Sequence, residues 1–326
     1  MDDRERDIAH AVERLRAGGL VAFPTETVYG LGADALDEAA VRRVFKTKGR
    51  PSNNPLIVHV SGPAMARRVV AEWPRDAQLL ADCFWPGPLS IILPKASGVP
   101  SVVTADGPNV AVRCPDHPLT LALLRALDGP LVGPSANPSG RISPTTAAHV
   151  RESFTPAQVY VLDGGPCTGG IESTVVKLGD EIRVLRAGLI TPEAIARVLN
   201  RPVLTGSPLT ATPESPGQLA SHYAPLTPTR LIPASDLSRA LHNSTRAAVL
   251  STTDLHVQPP HTLFRMPTDP HAYARELYSA LRQADTSGAD RIIVISPAPH
   301  GASPEDASLW SAIVDRLTRA STPPTQ

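Results

Sequence analysis

Short apolar runs alternate with amphipathic stretches through the first two hundred positions of the chain, the order that an α/β domain produces. LVAFPT (20–25), PLIVHV (55–60), LSIILP (89–94), NVAVRC (109–114), PLVGPS (130–135), QVYVLD (158–163), STVVKL (173–178) and EIRVLR (181–186) predict strands. Between them DEAAVRRVFK, AQLLADCF and HPLTLALLRAL have helical spacing. TPEAIARVLN predicts a capped helix, with Thr191 as N-cap, Pro192 in the first turn, and Asn200 and Pro202 as stop signals. A first domain over 1–203 follows. The proline-rich stretch 204–230 predicts an extended, semi-rigid linker, unusual only in the aromatic SHYAP within it. After it, RAAVLST, HTLFRMP, a helix over 270–284, RIIVISP and a helix over 306–319 predict a small α/β domain over 231–326.

Composition narrows the class. The 326 residues are 42% hydrophobic, enough to fill two cores. No stretch approaches the roughly 20 apolar residues of a membrane span, and MDDRERDIAH lacks the pattern of a signal peptide, so a cytoplasmic protein is expected. Cys83, Cys114 and Cys167 are too far apart for a zinc set and read as reduced, structural thiols. Lys plus Arg equals Asp plus Glu, 31 each, which removes the cationic field that RNA binding uses, so no stable tRNA binding is expected. Only Lys46, Lys48, Lys95 and Lys177 are lysines among those basic residues, so two in KTKGR suggest a need for a compact ammonium.

Polar clusters fall where strands end, the usual place for ligands in open α/β sheets: PTETVYGLG, KTKGRPSNNPL, His59, NVAVR, GPSANPSGRISPT, GGIEST and LRAG. Singly, each has an ordinary structural reading as a turn, a helix end or a core residue. Together they gather hydroxyls, amides, glycines and cations without a matching set of acids, a combination that suits a polyanion. There is no G-x-x-x-x-G-K-[ST] loop, complete G-x-G-x-x-G, G-x-S-x-G elbow or H-E-x-x-H.

FPTETVYGLG, the K-x-K-x-R run before NPLIVH, WPGPLS, VAVRCPDHP, GPSANPSGRISPT, ESTVV and LRAG, in this order and spacing, resemble the YrdC-like domain of threonylcarbamoyl-AMP synthases over roughly residues 8–203. SPGQLASHYAP and the small C-terminal domain resemble the two-domain form of that family. The resemblance implies a twisted, open, mixed sheet with helices, followed by a smaller Rossmann-like α/β domain. It implies synthesis of L-threonylcarbamoyladenylate and pyrophosphate from L-threonine, bicarbonate or CO2, and ATP with Mg2+. The product would serve N6-threonylcarbamoyladenosine formation in tRNAs reading codons that start with A, through a downstream tRNA threonylcarbamoyl transferase complex.

Carried over residue by residue, the resemblance puts threonine on Thr27, His59, Arg113 and Ser173, with Arg113 on its carboxylate. ATP would meet Lys46, Lys48, Arg50, Asn54, Asn109, Ser135, Ser143 and Arg186, with Lys48 and Arg50 assisting the chemistry. His222 and Tyr223 would belong to a lid over the nucleotide. The chain departs from the pattern at Lys177, where many members have Asp, at Leu219, where many have a basic residue, and in SPEDASLWSAIVDRL, where a glycine-rich stretch is common. Two other functions compete: an RNA-binding module, and a carbamoyltransferase built on a similar domain. Against the second, only 23 residues precede Pro24, leaving no room for the upstream modules such transferases carry.

Overall fold

The structure, a computed structural model, describes residues 3–206, 222–297 and 303–322. The chain forms two compact units. In the first, helices α1 (Asp3–Arg16), α2 (Glu38–Lys48), α3 (Pro63–Ala66), α4 (Arg75–Phe84), α5 (Pro118–Leu127), α6 (Ala147–Arg151) and α7 (Pro192–Leu199) accompany one large sheet. Its strands are β1 (Leu20–Phe23), β2 (Gly30–Asp34), β3 (Ile57–His59), β4 (Leu89–Pro94), β5 (Asn109–Arg113), β6 (Leu131–Val132), β7 (Val159–Val161), β8 (Thr174–Lys177), β9 (Ile182–Arg186) and β10 (Val203–Thr205). They run in the order β10-β9-β8-β4-β5-β3-β6-β2-β1-β7, with parallel and antiparallel pairs mixed.

Alternation along the central strands assigns the two sheet faces, because successive side chains point to opposite sides. Val58, Ile91, Leu93, Val110 and Val112 join the main hydrophobic core with the helices. Ile57, Ile92 and Ala111, of opposite parity, form a separate small apolar cluster with Val175 and Leu185. That second face also carries the polar ends of the same strands. Register aligns His59 with Arg113, and the antiparallel pairing of Ile91 with Val112 brings Ser90 level with Arg113. Ser90 pairs with Val175, and Val175 with Arg186. His59, Arg113, Ser90 and Arg186 therefore make one row across the sheet.

Helix α2 shows how periodicity selects which cation is buried. Asp37 caps it by accepting from the amides of Ala39 and Ala40, and Gly49, at φ +61°, ends it in the left-handed region that glycine adopts without strain. Val41, Val44 and Lys48 are three and four residues apart, so Lys48 continues the buried stripe while Lys46 faces solvent. Cys83, Cys114 and Cys167 are free thiols; burial pushes Cys114 up to about 11 and Cys167 up to about 12.

The second unit has an all-parallel sheet, β11 (Thr229–Ile232), β12 (Ala247–Ser251), β13 (Thr262–Arg265) and β14 (Arg291–Ile295), in the order β11-β14-β12-β13. Helices α8 (Leu237–His242), α9 (Pro270–Thr286) and α10 (Pro304–Ala320) complete it. The short pieces 140–143 and 169–171 group with this unit. Ala224 donates its amide to the Gly140 carbonyl at 2.8 Å, and Arg282 donates to that of Ile142 at 2.7 Å.

Only the two ends of the stretch 204–230 depart from the linker expected there. Its start is strand β10, paired in parallel with β9, and its end is strand β11. Both strands are too short to show an apolar period, which is why sequence pattern missed them. Residues 207–221, with Leu219, lie outside the described residues.

Candidate active site

At the C-terminal ends of β3 and β5, Arg113 is nearly fully buried and its Nη2 lies 2.7 Å from Oε1 of Glu26, itself buried. Its Nε donates to the Gly87 carbonyl at 3.3 Å. Glu26 Oε2 accepts from the Asp116 amide at 3.1 Å. The turn holding Glu26 is fixed by Thr25, whose hydroxyl accepts from the amides of Thr27 and Val28 and donates to the Val28 carbonyl. Thr27, fully buried, shares a 2.8 Å hydrogen bond with the Thr25 hydroxyl. His59 is buried beside Arg113; burial first, then the Arg113 charge, holds its imidazole well below the usual histidine range, so it is neutral at physiological pH.

Gly133 sits where only hydrogen fits. A Cβ there would lie 2.6 Å from His59 Nδ1 and 2.7 Å from Phe23 Cζ. Gly133→Ala is expected to displace the imidazole and cost about 1–3 kcal/mol of stability. Thermal unfolding and threonine titration of the variant would check both effects.

Further along the row, Ser173 accepts from Arg186 Nη2 at 3.1 Å and shares a 2.8 Å hydrogen bond with Ser90. Arg186 Nε donates to the Ser173 carbonyl at 3.0 Å. An arginine expected on ATP and a serine expected on threonine are thus in direct contact. Ser90 closes the WPGPLS motif, but sequence reading gave it no role at the site.

At the opposite end of the same strip, Arg50 donates through Nη2 to Asn54 Oδ1 at 2.6 Å and to the Pro55 carbonyl at 2.9 Å. Asn109 opens β5 with the parity of Arg113, so it shares that face about 13 Å away along the strand. Lys48 is fully enclosed, donating to the carbonyls of Ser135, at 2.5 Å, and Asn137. Burial, then the nearby Arg50 charge, holds its amine well below the usual lysine range.

The remaining expected residues are Lys46, Ser143, His222 and Tyr223. Lys46 is exposed on α2, and Ser143 is buried in the piece grouped with the second unit. His222 and Tyr223 also belong to that unit, where the structure gives them an anchoring place. Tyr223, fully buried at φ +63°, stacks on Tyr278 at 5.6 Å, with the buried Arg316 guanidinium 5.5 Å from its ring. His222 meets Tyr223 edge-on at 4.1 Å and donates its amide to the Arg319 carbonyl at 3.3 Å.

The expectation of cations without matching acids is corrected. Glu26 and Glu172, both inside the quoted motifs, are buried, and Glu26 neutralises the innermost arginine.

The family model described as "Telomere recombination" matches residues 13–188, and the model described as "Threonylcarbamoyl-AMP synthase, C-terminal domain" matches 190–322. A threonylcarbamoyl-AMP synthase of Pyrococcus abyssi is 37% identical, covering 94% of this chain and 92% of its own length. The chain belongs to the threonylcarbamoyl-AMP synthase family. A family member from Bacillus subtilis is 38% identical over 98% of this chain and 94% of its own. The crystal structure of P. abyssi Sua5 complexed with L-threonine superposes with a TM-score of 0.85 at 36% identity, covering 96% of this chain and 94% of that one. The mixed sheet and the parallel-sheet unit are therefore the fold of the family's two-domain form.

Proposed function

We propose that the strip between Arg113 and Asn109 joins L-threonine, bicarbonate-derived CO2 and ATP into L-threonylcarbamoyladenylate, releasing pyrophosphate. The observation that carries this reading is the contact of Arg186 with Ser173. It brings a phosphate-binding cation to the amino-acid end of the strip, where the two substrates must react. Threonine's carboxylate sits on Arg113, its body against Thr27, His59 and Ser173. The triphosphate extends towards Lys48 and Arg50, with Asn54, Asn109 and Ser135 as polar contacts and Lys46 at the solvent side.

The bound ammonium first gives up a proton to solvent; the freed lone pair then forms a bond to the carbon of CO2 and a second proton leaves to solvent, giving a carbamate. A carbamate oxygen then attacks the α-phosphorus, and the bond to the bridging oxygen breaks as pyrophosphate leaves. This step drives anions together. A cation about 4 Å from a reacting oxygen contributes roughly 4 kcal/mol at an effective dielectric of 20, which is the role of Arg186, Lys48 and Arg50. Mg2+ accompanies ATP, neutralising phosphate charge. Among the described residues no group of three or more His, Cys, Asp or Glu side chains could hold a metal ion.

The product feeds tRNA threonylcarbamoylation in the cytoplasm, handed to a transferase. Among the described residues no helix is long and apolar enough to cross a membrane.

The test is pyrophosphate release from ATP with threonine and bicarbonate supplied together and omitted in turn. Release that needs all three supports the reading; release indifferent to threonine defeats it. Serine, lacking one methyl, is expected to lose about 1–3 kcal/mol in kcat/KM relative to threonine. Competition between the two amino acids at subsaturating concentration measures that difference.

A further inference from the structure

The pairing of Glu26 with Arg113 has a feature that a purely structural ion pair does not need. Oε1 of Glu26 and Nη2 of Arg113 face each other at 2.7 Å, yet neither atom makes an aligned hydrogen bond. Both side chains are more than nine-tenths buried. Each is instead anchored from behind by backbone, Glu26 through Oε2 to the Asp116 amide and Arg113 through Nε to the Gly87 carbonyl. Buried charges normally gain hydrogen bonds on every available atom, since desolvation is otherwise uncompensated. Here the two facing atoms, one negative and one positive, have each other in ion-pair contact but no hydrogen bond from the rest of the protein.

We propose that Glu26 binds the substrate's α-ammonium, and that Glu26 and Arg113 together read an amino-acid zwitterion as one unit. The inference rests on the placement of threonine's carboxylate on Arg113. An α-amino acid carries ammonium and carboxylate on one carbon, the same spacing of opposite charges that the pair presents. A lone buried Arg113 would accept any monoanion, including bicarbonate or a hydroxy acid. With Glu26 beside it the charge of Arg113 is balanced, so a net-neutral zwitterion suits the pair, while the cations left for the polyanionic nucleotide are Arg186, Lys48 and Arg50. The turn fixed by the Thr25 hydroxyl sets Glu26 in place before the ligand arrives, so little ordering is required on binding.

Calorimetry on the full chain tests this with two probes, L-threonine and 3-hydroxybutanoate, which keeps the carboxylate and hydroxyl but lacks the amine. Glu26→Gln removes the charge and keeps the shape. It is expected to weaken threonine about 10- to 100-fold, the loss of one charged hydrogen bond, while 3-hydroxybutanoate binds as well as or better than in the wild type. Glu26→Asp, which keeps the charge, is expected to retain more threonine affinity than Glu26→Gln, and it serves as the variant to use if Gln does not fold. Equal weakening of both probes would mean that Glu26 only positions Arg113, and unchanged threonine affinity would make it a structural residue; either result overturns the proposal. A wild-type chain that binds no threonine would sink the proposed function and this inference together, whereas wild-type binding with an indifferent Glu26→Gln sinks the inference alone.

Discussion

Arg113→Ala is expected to lower threonine affinity by about 100- to 1,000-fold, since a buried charged partner for a carboxylate is among the strongest polar contacts a protein offers. The same change leaves Glu26 buried without its counter-charge, which costs about 3–5 kcal/mol of stability. The two effects are separable. Adding Glu26→Ala to Arg113→Ala removes the orphaned carboxylate, so unfolding stability should recover while threonine binding does not. A double-mutant cycle on both quantities checks the assignment. Threonine affinity that survives Arg113→Ala would move the carboxylate to another residue.

Lys48→Ala is expected to act on the other substrate. Removing one preorganised cation at a phosphate lowers turnover by about 100- to 1,000-fold, with threonine binding little changed. The variant also leaves the carbonyls of Ser135 and Asn137 without their shared donor, so the loop 133–139 should loosen. Single-turnover kinetics with ATP, alongside hydrogen exchange over that loop, separate chemistry from structure. The pH dependence follows from the lowered amine pKa. Between the folded pKa and the ordinary lysine value of 10.5, the unfolded chain binds the proton that the folded chain does not. This residue's contribution to stability therefore rises with pH across that window and is least favourable below the folded pKa. ATP, by placing negative charge beside Lys48, should be bound with proton uptake where the free amine is neutral. Calorimetry in buffers of different ionisation enthalpy measures that uptake.

The parts of this fold legible in the sequence are those where burial and period coincide. The runs at 55–60, 89–94 and 109–114 are rich in branched residues, and each contains the observed strand. Strand β2 was hidden because its sequence is GLGAD, which reads as loop. Gly30 is required there by the Phe23 ring, which a Cβ would meet at 2.6 Å, a tertiary contact with no local signature. Helix α1 was overlooked because its terminus is dominated by charges, although Ala11, Val12 and Leu15 form a buried stripe. At the site, residue types pointed to an anion, but partner choice was not legible. Nothing local in PTET says that its acid turns inward to meet an arginine almost ninety positions later. Lys46 and Lys48 were similarly indistinguishable until the helix phase put one in solvent and the other under the loop.

Strand β5 acts as a measuring rod. Asn109, Ala111 and Arg113 share a face because two residues restore the phase of the pleat, so the rod is graduated in steps of about 6.6 Å. An insertion or deletion of one residue within it would turn Arg113 into the oily layer beneath and bring a valine up in its stead. A change of two would keep the arginine upright but shift the amino-acid end a full graduation away from the nucleotide end. Sequence drift in this strand is therefore restricted to substitution at constant length. Loops elsewhere in the unit have no comparable arithmetic to obey.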